Sequence, residues 1–253
     1  MKRSYIFLAL ISLIIMGSSL GIKAETPGST SFNIFHTSDF YDHDNSEEYL
    51  IDLLFVPIGW SKDGKFAYIK EIDPGGADYY ETGLFRWVVQ DMVTDKILWL
   101  SEKEKPGDYP EKYWQMDNEE LFHWMLGKFM AKYRPKLEKY GIVLDTKLEV
   151  ERFPLKYKNA EYRGFLMDIV RGTVYDIPDL IKEYKNCVAK DDIIKVLGHA
   201  KDKYLVDVRI GGYVKSPHEG RIALLTCELV RGWEGPPHTV EFGVVGCHLE
   251  YGY

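Results

Sequence analysis

Hydrophobic and polar positions fall into three regimes along the chain. Tyr5 to Met16 is apolar except for Ser12. From Tyr49 to Leu100, apolar residues come in short runs separated by turn residues. Leu50 to Ile58 reads as a strand, Phe66 to Ile69 as its return, Gly83 to Gln90 as the next strand and Ile97 to Leu100 as a fourth. The punctuation is strong: Asp63-Gly64, Asp73-Pro74-Gly75-Gly76-Ala77-Asp78 and Thr94-Asp95-Lys96 all favour reversal, because glycine reaches positive φ at no steric cost and Asp bonds its own backbone. An antiparallel meander is expected here.

The period then changes. Ser101 to Gln115 is charged and proline-containing, a loop. From Asp117, Leu121, Phe122, Met125, Phe129 and Tyr133 recur every three or four residues, with Lys128, Lys132 and Lys136 opposite. This spacing predicts one long amphipathic helix over about 118–140, with Glu120 as capping-box partner, Pro135 as a kink or restart and Gly141 ending it. Beyond it, period two returns over Lys147–Phe153, Tyr162–Val174, Ile193–Leu197, Tyr204–Val214, Arg221–Val230 and Thr239–Leu249, with a short helix over Pro178–Tyr184. Ser216 to Gly220 and Arg231 to His238 supply turns. The expected class is α+β, antiparallel meander regions flanking the helix. One domain is expected over 49–253, with 101–116 as its natural point of subdivision, preceded by a polar arm over 25–48.

The first 24 residues have the make-up of a secretory signal peptide: Lys2 and Arg3, the apolar run, then small residues up to Ala24. The run is shorter than the roughly 20 residues that span a bilayer, so no stable membrane insertion is expected after cleavage. Ala24 and Gly21 are the competing cut positions. Cleavage after Ala24 removes Lys2, Arg3 and Lys23 and no acid, taking the formal charge from −7 to −10. An acidic chain without a basic stripe is a poor partner for nucleic acid.

Export places Cys187, Cys227 and Cys247 in an oxidising compartment. Cys227 and Cys247 lie in neighbouring apolar runs, and strand register decides whether they bridge or stay buried thiols.

Trp60-Ser61-Lys62-Asp63-Gly64-Lys65-Phe66-Ala67-Tyr68 resembles one repeat of periplasmic β-propellers of the TolB kind. A propeller needs at least four copies, and only Ala200 to Val206 echoes the motif, so a single hairpin is implied rather than a complete propeller. Together with the N-terminal segment and Arg231-Gly232-Trp233-Glu234-Gly235, the turn also resembles families of predicted secreted bacterial proteins of unknown function. That resemblance implies no activity.

Candidate chemistry is sparse. His36, Asp39, Asp42, His43 and Asp44 carry metal-ligand atoms within nine residues, but their spacing matches no calcium loop or zinc motif, so a solvated arm is expected and no metal or other cofactor. His199, His218, His238 and His248 occupy the C-terminal β region without any nucleophile or zinc signature. Trp87, Trp99, Trp114 and Trp124, with Tyr79, Tyr80, Tyr109 and Tyr113, concentrate aromatic surface mid-chain, and Trp99 and Trp114 are the candidate binding residues. The expected activity is that of a non-catalytic binding or envelope-associated factor, its partner a protein or small ligand of the cell envelope. The alternatives are a secreted hydrolase using the C-terminal histidines with a carboxylate, and an envelope-complex component offering the Trp60–Tyr68 hairpin for strand addition.

Overall fold

The computed structural model describes residues 32–39, 50–51, 53–72, 84–104, 118–171, 181–190, 193–202, 205–230 and 238–250. The N-terminal segment 1–24, the loop Asp73–Asp78, the helix-opening Asp117 and the turn 231–237 lie outside the described residues.

The described residues form fourteen strands and one α-helix: β1 (Phe35–His36), β2 (Leu50–Ile51), β3 (Leu54–Trp60), β4 (Lys65–Ile72), β5 (Leu84–Asp91), β6 (Ile97–Leu100), α1 (Asn118–Lys139), β7 (Val143–Leu144), β8 (Leu155–Tyr157), β9 (Ala160–Arg171), β10 (Ile181–Lys190), β11 (Ile193–Asp202), β12 (Leu205–Lys215), β13 (Arg221–Val230) and β14 (His238–His248). Sheet I runs β1-β3-β4-β5-β6, with β7 also on β3. Sheet II runs β12-β13-β14-β2, and sheet III β11-β10-β9-β8. All pairings are antiparallel except β14 with β2.

The α+β expectation is overturned. Strand accounts for 56% and helix for 14%, so the chain is mostly antiparallel β, and its one helix covers an outer face rather than standing between two β regions. The physical reason is that later strands bury their apolar faces against other strands. Phe122, Leu126, Phe129, Tyr133 and Leu137 of α1 pack on Val56, Ile58, Ile69, Trp87 and Val89 of sheet I. The opposite face of sheet I, with Phe55, Trp60, Phe66 and Tyr68, meets Ala223, Leu225, Cys227 and Phe242 of sheet II. Ile222, Leu224 and Cys247, on the far side of sheet II, meet Leu155, Tyr162 and Val188 of sheet III. The order of layers is therefore helix, sheet I, sheet II, sheet III.

Two further expectations fail locally. Ile181–Tyr184, read as part of a short helix, belongs to β10, paired with β9 on one side and β11 on the other. Lys147–Phe153 forms no strand, and only Glu151 bridges Tyr213. Within α1, Pro135 does not end the helix. The helix stops at Gly141 (φ 73°), where Gly141 N–H donates to Glu138 O (2.9 Å) and Ile142 N–H to Leu137 O (3.0 Å), a Schellman closure.

A register slip between Pro57 and Gly59 decides one large side chain. Leu54, Val56 and Ile58 face α1, and strict alternation would send Trp60 the same way. The extra residue turns Trp60 onto the sheet II face, beside Phe66 at 4.7 Å between rings. Burial of each such ring contributes about 2–3 kcal/mol.

Register also settles the cysteines. Cys247 pairs with Ile222, and Cys227 with Phe242. Cys227 faces sheet I and Cys247 faces sheet III, so the two thiols lie on opposite faces of sheet II and do not bridge each other. Burial holds the Cys227 thiol in its protonated form, its pKa pushed up to about 12. The Cys187 side chain lies outside the described residues.

Close packing of backbone on backbone holds sheets I and II together at one end. A Cβ on Gly246 would lie 2.0 Å from Met92 O. Gly246→Ala is expected to destabilise the fold by about 3 kcal/mol, because neither main chain can withdraw. Urea unfolding of the two proteins side by side measures this.

Candidate functional site

Where Gly246 meets Met92, the turns of several hairpins converge. The Ser61–Gly64 turn follows from its sequence: Ser61 Oγ donates to Asp63 Oδ1 (2.6 Å) and accepts Lys65 N–H (2.8 Å), while Gly64 takes φ 83°. Lys65 pairs with Asp63, and that hydrogen bond holds the Asp63 carboxyl below the usual carboxylate range. Met92 N–H, in the β5–β6 turn, donates to Gly64 O at 3.0 Å. Asp91 shapes the latter turn by accepting Val93 N–H (2.8 Å) and Thr94 N–H (3.3 Å) on Oδ1.

Sheet II supplies the charged centre. Arg221 Nη1–H donates to Met92 O (3.0 Å) and Nε–H to Glu219 Oε1 (2.7 Å). The other oxygen of Glu219 lies 3.6 Å from His248 Nε2. His248 is 5% exposed, and its Nδ1 accepts Glu250 N–H at 3.2 Å. Glu250 also takes Tyr157 O–H (3.0 Å) and pairs with Lys158, the hydrogen bonds that lower its carboxyl pKa. Gly246 N–H donates to Asp95 Oδ1 at 2.6 Å. Burial raises the Asp95 pKa, with that hydrogen bond opposing.

Among the described residues this is the one place where a histidine of the C-terminal region lies beside an acid within an ion pair. Its chemistry is that of a lock. With Nδ1 accepting a main-chain N–H, the neutral ring carries its proton on Nε2, directed at Glu219, and no lone pair is left to take a proton from a substrate. Ser216 Oγ accepts His218 N–H (3.3 Å), so this serine and histidine meet through the backbone and shape a turn. The His218 side chain is exposed, and those of His199 and His238 lie outside the described residues.

The remaining sequence candidates are scattered. His36 is in β1 and donates its N–H to Asp39 Oδ2 (2.7 Å); Asp42, His43 and Asp44 lie outside the described residues. Among the described residues, no group of three His, Cys, Asp or Glu side chains is placed to hold a metal ion. Trp99 is partly buried on β6, its ring 5.3 Å from that of Tyr133 and 5.7 Å from Lys136 Nζ. Tyr133 in turn bonds Glu104, which also pairs with Lys132 at 2.5 Å. Trp114, Tyr79, Tyr80, Tyr109, Tyr113 and the Trp124 side chain lie outside the described residues. Trp87 is core.

Two polar networks escaped the sequence reading. One is the Arg221–Glu219–His248 cluster, hidden because Ser216-Pro217-His218-Glu219-Gly220 looks like an ordinary turn. The other joins sheets I and II: Tyr68 O–H donates to Gln90 Oε1 (2.9 Å), and Gln90 Nε2 donates to Val244 O (3.0 Å) and Asp95 O (3.3 Å). A glutamine ending the run Trp87-Val88-Val89 was its signal.

No protein-family model matches the chain, and no curated protein or solved structure does.

Arg221→Met should destabilise by about 2–3 kcal/mol, since it strands Glu219 and Met92 O together, whereas His218→Ala should stay within about 0.5 kcal/mol. Urea midpoints separate the two. Asp95 gives a pH test. An acid whose pKa is raised on folding contributes stability below its unfolded value, about 3.9, and loses it as pH rises through the folded value. Asp95→Asn keeps an acceptor for Gly246 and has no charge to bury. Relative to the parent it should gain stability between about pH 3.5 and pH 7, as read from unfolding midpoints at both.

Proposed function

We propose that the chain is exported through Met1–Ala24 and acts outside the cytoplasm as a non-catalytic binding or envelope-associated factor. The observation that carries the non-catalytic part is the engagement of His248: its one acceptor nitrogen is bonded to Glu250 N–H, and the acid it faces is bonded to Arg221. The export part rests on Lys2, Arg3, the Tyr5–Met16 run and the small residues that follow. Among the described residues no helix is long and apolar enough to cross a membrane.

The Trp60–Tyr68 hairpin is not the place for a partner strand. β3 and β4 have neighbours on both sides in sheet I, and among the described residues the edge without a further strand is that of β6. A binding role would draw on exposed surface such as Ile97 and Leu100 of that strand.

Expression of the full chain in a bacterium, followed by fractionation and N-terminal sequencing, tests export: a product starting at Glu25 or Ile22 outside the cytoplasm is expected, and an uncut chain in the cytoplasm overturns it. Turnover of ester, amide or phosphoester substrates that vanishes in the His218→Ala, His238→Ala double variant would instead establish the hydrolase.

A further inference from the structure

We propose that Lys70 and Arg86 form a binding site for an oxyanion, a carboxylate or a phosphate group, between sheets I and II. The inference rests on these two side chains and not on the export reading, and a separate experiment tests it.

Lys70 of β4 and Arg86 of β5 stand directly opposite each other, in a pairing that runs from Lys65–Asp91 to Ile72–Leu84 without a shift. They share a face of sheet I with Phe55, which pairs with Lys70 from β3, and with Tyr68 and Val88, which belong to the core against sheet II. Lys70 Nζ points the same way, donating to Phe242 O of β14 at 3.3 Å. Like charges directly opposite on a sheet repel. Among the described residues neither cation has a carboxylate within ion-pair distance. Arg86 Nε is buried and has no hydrogen-bond partner, so one side of the guanidinium is desolvated without compensation. The fold treats other inward cations differently: Lys65 has Asp63 and Arg221 has Glu219.

The surroundings make the uncompensated charge costly. Phe55 and Phe242, their rings 5.2 Å apart, are both buried beside it. An anion in front of the pair offsets both the mutual repulsion and the desolvation. Lys70 and Arg86 are half-buried rather than sealed, so the pair is open to an anion from solvent. Geometry selects the class. A guanidinium presents N–H groups in one plane that match two oxygens of a carboxylate or phosphate, and the ammonium keeps two donors besides the one on Phe242 O. A halide ion cannot use such a fork.

Urea midpoints of the full chain as the cell leaves it, read in sodium chloride and then with inorganic phosphate or acetate at equal ionic strength and neutral pH, test the site. An anion held by the folded chain stabilises it by mass action. The midpoint should therefore rise with the logarithm of the concentration of at least one of the two anions, above a dissociation constant in the low-millimolar range. Which anion acts distinguishes phosphate from carboxylate. Arg86→Met and, separately, Lys70→Met should weaken the effect about tenfold or more, and a cooperative transition in chloride shows that each variant folds. A parent indifferent to both anions, as it would be if an acid of the chain itself held the pair, overturns the proposal. So does a response that either variant keeps in full, the mark of a general salt effect.

Discussion

Sheet II is covered on both faces, and its neighbours are arranged around that fact. β13 runs Arg221 to Val230 with its first seven residues buried, Ala223, Leu225 and Cys227 toward sheet I and Ile222 and Leu224 toward sheet III. A strand in that position has no solvent face on which to put polar residues, which is why the sequence there is a continuous apolar run. Thr226, also buried, donates its hydroxyl to Glu228. Arg221 is the costly exception: a guanidinium at the buried start of such a strand must find Glu219 and Met92 O, because an unpaired charge there would cost several kcal/mol.

The same burial explains why sheets I and II meet through backbone as well as side chains. Gly246 lets β14 approach Met92, Asp95 caps the Gly246 N–H, and Gln90 reaches across to Val244 O. At the edge of sheet I, Gly59 allows Val143 O to within 2.1 Å of where a Cβ would stand, so β7 can pair with the end of β3 after α1 has crossed the sheet. Sheet I is thus fixed against sheet II and along its β3 edge, and the polar groups where its turns converge are used in holding turns together.

What was legible in the sequence divides along the range of the interaction. The turn at Asp63-Gly64, the runs that became β5, β6 and β13, and the three- and four-residue spacing beneath α1 are local signals carried by neighbouring residues. The stacking of three sheets is not local. Ile222 and Ala223 look alike in sequence, and only the layers on either side tell which core each enters. Alternation over Lys147–Phe153 predicted a strand, yet only Glu151 found a partner on Tyr213; conversely Ile181–Tyr184 was drawn into β10 by pairing on both sides. Tertiary pairing overrode propensity in both cases. The candidate site was legible only as residue types: that His248 would meet Glu219, and that Arg221 would already hold that acid, depends on a contact between the end of β14 and a turn almost thirty residues earlier.

The use of these groups bears on where function can reside. A side chain that secures a turn by two or three hydrogen bonds cannot also reorganise around a substrate without loosening the fold, so the convergence of turns is better suited to rigidity than to chemistry. Among the described residues of sheet I, apolar side chains face outward along the outer edge of β6, where Ile97 and Leu100 are exposed and Leu98 O takes the Tyr140 hydroxyl. The asymmetry between its two edges follows from the chain's path. Beyond β3, the short strands β1 and β7 occupy successive halves of one edge, whereas β6 has β5 on one side and on the other the Tyr140 hydroxyl. The Tyr140 hydroxyl on Leu98 O thus does part of what a guarding charge does on other edges, while the Ile97 and Leu100 side chains stay exposed beside it.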